Sequence, residues 1–312
     1  MSYHEKTSAA AKGQWSGILQ HLGMPASFLK RQNGPCPFCG GKDRFRFSDL
    51  DGAGTWFCNQ CGSGAGMEMV MRLTGAGFAE AASRVDDILG NVKFEAAKVR
   101  REVTDEEKRA ACMALWRETR KAEPGDLVHR YLDSRGIGCD EMPTSLRLHP
   151  ALRDGEGGIR PAMVARVTGP DGAGVTLHRT FLRPDGLAKA EMASPRKLMP
   201  GTLPEGACVR LSTPSDALCL AEGIETALAV ERLFETPCWA TISAGTMAKW
   251  IAPDGVESVT ICADNDAHFA GQSAAYRLAN RLAAKGLAVN VRVPDRPGED
   301  WLDVLNRKGD AA

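Results

Sequence analysis

The stretch Val259–Asp266, "VTICADND", decides how the rest of the chain is read. Its first residues are apolar and β-branched in the manner of a buried strand, and the run ends in Asp264 and Asp266, one residue apart. On an extended chain, residues i and i+2 share a face, so the two carboxylates project together. Like charges that close repel, and such a pair persists mainly where a cation or a protonation step resolves it. The ordinary alternative is a solvated acidic loop after a strand.

Strands and helices alternate around this stretch from Ala217 onward. Strand "ALCLA" runs into Glu222-Gly223 and a helix to Phe234, and "CWATI" runs into a helix near Met247–Ile251. "SVTICA" leads through Asp264 to a helix over Gln272–Lys285, and "AVNVRV" to a short helix through Trp301–Leu305. This pattern predicts a doubly wound α/β domain over 216–312, with a parallel sheet whose sites lie at the carboxyl ends of its strands. Glu222 and the pair Asp264/Asp266 stand at such ends, and Asp300 a little beyond one. Several carboxylates should therefore converge on one edge.

Upstream, residues 126–215 read as a basic α+β region. A helix over Leu127–Ser134 is followed by "AMVARV", a Gly-Pro-Asp-Gly turn at 169–172, and "GVTLHRTFL", an antiparallel hairpin. Arg160, Arg166, Arg179, Arg183 and Lys197 punctuate it. Between 160 and 197 there are seven Arg or Lys against three acids, whereas residues 216–312 carry 9 basic and 14 acidic groups. A basic segment feeding an acidic one suits a site that holds polyanions through metal ions. A solvated sheet face accounts for some of these cations. Before this region, 91–125 reads as a polar linker to about Val103, then a helix opened by the capping box Thr104-Asp-Glu-Glu107 and running to about Lys121.

The first 90 residues carry a different chemistry. Four of the ten cysteines fall as Cys36-Pro-Phe-Cys39 and Cys58-Asn-Gln-Cys61. Each pair occupies a tight turn that can aim two thiolates at one ion, and two turns complete a tetrahedron, which predicts a structural Zn²⁺. Between them, Arg44 and Arg46 alternate with Phe45 and Phe47, and Trp56-Phe57 returns after a turn at Asp51-Gly52, the pattern of a β-hairpin in a zinc ribbon. The aromatics can stack bases beside phosphate-binding arginines, or form the small core of the ribbon. Cys112, Cys139, Cys208, Cys219, Cys238 and Cys262 are single, in mostly apolar surroundings, and read as core residues.

The bulk numbers bound these readings. With 312 residues, 43% hydrophobic and 25% charged, the chain has the composition of an ordinary multi-domain globular protein. Zero net charge argues against a simple polybasic nucleic-acid binder. No apolar run approaches the roughly 18 residues of a membrane span, and "MSYHEKTSAAAKGQW" lacks the apolar middle of a signal peptide. A cytoplasmic protein with reduced cysteines, and no membrane partner, is the expectation.

With the residues in place, the chain resembles known families. Strand–Glu222-Gly223 followed by strand–Asp264-x-Asp266 resembles the Toprim domain of primases, topoisomerases and related nucleases. "GIETALA" and "GEDWLDVL" look like its version in phage and plasmid primases. "CPFCGGKDRFRF…GTWFCNQCGSGAG" resembles the zinc-binding domain of satellite-phage and plasmid primases. The resemblance implies a primase of phage or mobile-element replication, beginning RNA strands on single-stranded DNA from NTPs, with a replicative helicase as partner in trans. It implies catalytic Mg²⁺ (or Mn²⁺) held by Asp264 and Asp266 with help from Asp300, and Glu222 as ligand or base. Arg160, Arg166, Arg179 and Lys197 would hold template or triphosphate, and the ribbon would bind template. Two departures stand out. Where replicative primases have an Asp four residues after the Glu, this chain has Thr226, with Glu225 beside it as a candidate replacement. The glycine found three residues after the second Asp arrives five later, at Gly271, behind His268-Phe269.

A Toprim topoisomerase needs a tyrosine nucleophile, and Tyr3, Tyr131 and Tyr276 have no fitting context. A Toprim nuclease, and a non-catalytic zinc/Toprim DNA-binding clamp, remain as alternatives.

Overall fold

The structure, a computed structural model, describes residues 3–91, 103–139 and 141–309. It divides into two compact units, Met1–Val103 and Thr104–Ala312. The polar linker read at 91–103 lies outside the described residues apart from its two ends.

In the first unit, helices α1 (Tyr3–Ala10) and α2 (Trp15–His21) precede four short strands, and α3 (Gly66–Thr74) and α4 (Phe78–Asn91) follow them. The strands β1 (Gly34–Cys36), β2 (Gly40–Phe47), β3 (Trp56–Cys58) and β4 (Gly62–Gly64) form one antiparallel sheet in sequence order. Phe45, Phe47 and Trp56 are buried at 2% exposure, in one cluster with Trp15, Ile18, Met69 and Val85. The ribbon aromatics are thus mainly core, and that core is shared with helices rather than being the ribbon's own. Phe57 differs: it is 41% exposed, with the Arg46 guanidinium 5.5 Å from its ring centroid.

The second unit opens with α5 (Asp105–Glu118) behind the expected cap, in which Thr104 accepts from the Glu107 N–H and the Glu107 carboxylate accepts from the Thr104 N–H. The helix stops at Glu118 rather than Lys121, because Arg120–Lys121 (β5) pairs with the first large sheet. After α6 (Leu127–Ser134), that sheet continues with β6 (Leu146–Arg153), β7 (Ile159–Thr168), β8 (Gly174–Phe181) and β9 (Arg196–Leu198), in sequence order and antiparallel. One face, bearing Ala162, Val164, Leu177 and Phe181, is covered by Cys112 and Leu115 of α5. The other, bearing Met163, Ala165 and Val167, shares a core with the second sheet and its helices.

That second sheet comprises β10 (Val209–Arg210), β11 (Ala217–Ala221), β12 (Cys238–Ala240), β13 (Ser258–Cys262) and β14 (Ala288–Arg292), in the order β10-β12-β11-β13-β14. The last four are parallel and β10 is an antiparallel edge. Helices α7 (Ile224–Phe234) and α10 (Trp301–Gly309) pack on one face, and α8 (Ala244–Met247) and α9 (Ala270–Ala283) on the other. Period-two burial follows: Cys219 and Ala221 face α7, while Leu218 and Leu220 face α9. The doubly wound reading of the sequence is what the chain forms. Among the described residues no helix is long and apolar enough to cross a membrane.

Candidate active site and metal centre

In the first unit the four thiols of Cys36, Cys39, Cys58 and Cys61 lie within 4.8 Å of one another. Cys36 Sγ to Cys61 Sγ is 3.9 Å and Cys39 Sγ to Cys58 Sγ is 3.6 Å. A tetrahedron with Zn–S of 2.3 Å has S–S edges of about 3.8 Å, so the thiols already stand at zinc spacing. The Phe38 N–H donates to Cys36 Sγ and the Gln60 N–H to Cys58 Sγ, both at 3.4 Å, as suits a charge-bearing thiolate. The donor set fits Zn²⁺. Cys58→Ser is expected to yield protein without stoichiometric zinc; elemental analysis finding the wild-type content would remove the metal from this site.

In the second unit, Glu222 follows β11, Asp264 and Asp266 follow β13, and Asp300 opens α10 beyond β14. The loops are tied together by the residue between the aspartates. Asn265 donates from its amide Nδ2 to the Pro294 carbonyl (2.8 Å), its N–H donates to the Glu299 carbonyl, and its own carbonyl accepts from Gly298 N–H. Trp301 Nε1 donates to the Ala263 carbonyl at 3.2 Å, closing α10 onto β13. These bonds bring Asp300, remote in sequence, into electrostatic reach of Asp264.

The four carboxylates differ in what they already do. Asp266 caps α9, its Oδ1 accepting from the His268 and Ala270 N–H groups and its Oδ2 from Gly271 N–H. Asp300 accepts from the Leu302 and Asp303 N–H groups. Asp264 Oδ1 is buried without a hydrogen-bond partner among the described residues. Burial, then the charges of Glu222, Asp300 and Asp266, push the Asp264 carboxyl up to about 7, and Arg196 pulls the other way. Glu222 is also raised, first by burial and further by Asp266, against Arg196 and the Ala244 N–H. A buried anionic oxygen with no donor, among like charges, is the electrostatic deficit that a cation fills. Among the described residues only the thiols reach the 4.8 Å spacing of a closed ligand set. The wider carboxylates suit Mg²⁺, which keeps several waters and takes one or two carboxylates. Backbone strain borders the cluster at Ile242 (φ 75°), whose N–H donates to the Glu222 carbonyl, and at Phe269 (φ 55°).

The basic residues of the first large sheet divide between its two faces. Arg160, Arg166, Arg179 and Lys197 do not converge with the acids: strand register puts them on the α5-covered face of the first large sheet. There Arg160 pairs with Asp154 (3.0 Å), Lys197 with Glu156 (2.8 Å), and Arg179 donates to the Leu198 carbonyl, while Arg166 is exposed. The opposite face presents Arg196, which pairs in register with Thr180, is exposed, and acts electrostatically on both Glu222 and Asp264. His178 shares that face; burial holds it down to about 4, so it adds no charge at neutral pH. Sequence reading passed over Arg196. The alternation along "RKL" puts Arg196 and Lys197 on opposite faces, but which of them meets the acids is fixed only by the pairing of Arg196 with Thr180.

Glu225 does not replace the missing fourth acid. It is buried in the first turn of α7, where its Oε1 accepts from Tyr131 Oη (2.5 Å) and pairs with Lys189 Nζ (2.8 Å). Burial alone would raise its carboxyl, but Lys189 and Tyr131 outweigh it and hold the group at about 2.

Comparison with known proteins follows the same division. Residues 31–67 match the zinc-binding domain of primase-helicase, residues 217–311 the Toprim domain, and residues 106–211 a domain of unknown function. Among solved structures, the zinc-binding and RNA polymerase domains of the Aquifex aeolicus primase align over 100% of this chain and 84% of theirs, at 15% identity and TM-score 0.43. The primase fragment of the bacteriophage T7 primase-helicase aligns over 90% of this chain and 96% of its own, at 17% identity and TM-score 0.40. A primase domain from Pseudomonas aeruginosa aligns over 65% and 74%, at 16% identity and TM-score 0.40. The chain thus joins a zinc ribbon of the primase-helicase kind, at its N-terminus, to a C-terminal Toprim domain.

Proposed function

We propose that this protein is a DNA primase, a nucleotidyltransferase that starts short RNA chains on single-stranded DNA from NTPs, in phage or mobile-element replication with a helicase in trans. The observation that carries the reading is the Glu222/Asp264/Asp266/Asp300 cluster on a Toprim sheet, with its unpartnered Asp264 oxygen, in a chain that also bears a primase-type zinc ribbon.

Asp264 and Asp266 would hold divalent ions, Mg²⁺ or Mn²⁺, with Asp300 assisting. The chemistry such ions would supply, if bound there, is activation of a 3′-hydroxyl and neutralisation of the departing pyrophosphate. Glu222, its carboxyl raised by burial, is placed to ligate or to take the hydroxyl proton. Arg196 presents a guanidinium toward the acids with no hydrogen bond or ion pair of its own among the described residues, and would hold triphosphate. The zinc ribbon would contact template, with Phe57 and Arg46 as its exposed aromatic–cation pair.

Incubation with single-stranded DNA and labelled NTPs tests the reading against a nuclease with the same metal site. Growing oligomers support the primase; a shortened template supports the nuclease. Arg196→Ala is expected to raise the KM for NTPs about tenfold, about 1.4 kcal/mol of lost binding. Arg160→Ala, on the far face, should leave that KM unchanged. Equal effects of the two in steady-state kinetics would contradict the assignment of faces.

A further inference from the structure

One exposed aromatic stands at the start of α9 and another two turns along it, and the reaction as described uses neither. Phe269 is 66% exposed and Tyr276 is 61% exposed, among the largest exposed apolar side chains of the described residues. Phe269 immediately precedes α9, and Tyr276 lies seven residues on, two turns into the helix, so about 10 Å of helix axis separates their backbones. Ser273, Arg277 and Asn280 are the other exposed polar residues of this helix. α9 contains no Asp or Glu, in the third of the chain where acids outnumber bases 14 to 9.

The first of the two stands at the acid cluster. The Phe269 N–H donates to the Asp266 carbonyl at 3.1 Å, and its neighbours' N–H groups hold the Asp266 carboxylate. Phe269 is one of the two residues of "HFAG" that delay Gly271, and its backbone is in the left-handed region (φ 55°), where glycine would be at ease. Nothing in the core requires a phenylalanine there, since its ring lies in solvent.

We propose that Phe269 and Tyr276 form a stacking track for single-stranded nucleic acid, along which a strand leaves or approaches the carboxylate site, with Arg277 supplying charge to its phosphates. Exposed aromatics beside a cation, on a helix that carries no carboxylate of its own, are what sequence-tolerant strand binding requires. The inference rests on the nucleic-acid reading of the acid site, which supplies the strand's other anchor. A protein partner would instead be expected to bury the two aromatics under apolar side chains.

The test is fluorescence anisotropy of the full chain with labelled oligo(dT), together with primer synthesis. Phe269→Ala/Tyr276→Ala should weaken binding tenfold or more, Phe269→Trp should restore it, and thermal stability should be kept. Phe269→Gly relieves the left-handed backbone, so it should raise Tm while weakening binding; a purely structural residue would move both together. Irradiated 5-iododeoxyuridine oligonucleotide should crosslink to the peptide carrying Phe269 or Tyr276. If wild type binds and primes while the double variant binds equally well, or crosslinks map only elsewhere, the track is overturned and the primase reading stands. If wild type neither binds nor primes, both fall.

Discussion

Asp264→Asn is expected to lower metal-dependent synthesis on the order of a thousandfold while making the metal-free protein more stable above neutral pH. Both follow from one observation, the crowded, partnerless carboxylate that is pushed up to about 7 from the ordinary aspartate value of 3.8. A carboxyl raised in the folded state contributes its full stability below the unfolded value and loses it as pH rises through the folded one. The asparagine variant should therefore melt with wild type near pH 4, pull ahead between pH 4 and 7, and keep a lead on the order of 4 kcal/mol at pH 8. Added Mg²⁺ should raise the wild-type melting temperature at pH 8 and leave that of Asp264→Asn nearly unchanged. Equal melting of the two proteins across pH 4–8, with and without Mg²⁺, would mean that Asp264 is an ordinary solvated acid.

Lys189→Met is expected to cost on the order of 3–5 kcal/mol, the largest loss of stability of any single change considered. Lys189 reaches the nine-tenths-buried Glu225, which also accepts the Tyr131 hydroxyl, so its removal strands a carboxylate inside the protein. Glu225 should then rise from about 2 toward neutrality, and the loss should be largest at high pH. Replacing both, Lys189→Met with Glu225→Gln, keeps the volumes and a partner for Tyr131 Oη. The double variant should recover most of the stability in denaturant unfolding. Additive losses in the two single variants and the double would show that the pair is not coupled.

What could be read from sequence was what chemistry spaces rigidly. The two Cys-x2-Cys turns, the Asp264-x-Asp266 pair after an apolar strand, the Thr104 capping box and the strand–helix alternation each rest on local geometry. The structure forms the ribbon, the cap and the parallel sheet where they were read. What escaped depends on strand phase and on distant partners. β9 is only three residues long, so nothing in its own pattern shows that Arg196 rather than Lys197 meets the acids. Glu225 looked like a spare ligand because Tyr131, 94 residues away, and Lys189 are not visible from the first turn of α7. For Phe45, Phe47 and Trp56 the sequence leaves base stacking and ribbon core both open, because the helices that cover them lie outside the ribbon. Asn265 gave no sign of tying the Asp300 loop to β13, since its bonds to Pro294, Gly298 and Glu299 all reach across the chain.

The central claim is that the carboxylate cluster starts RNA chains, and the retained 5′ end tests it most directly. The full chain would be incubated with single-stranded DNA, Mg²⁺ and NTPs labelled on the γ-phosphate, and the products resolved by size. Only the first nucleotide of a chain begun without a primer keeps that phosphate, so the account predicts short labelled oligoribonucleotides from wild type and none from Asp264→Asn. Incorporation of α-labelled but never γ-labelled nucleotide, or a shortened template with no labelled product, would contradict it.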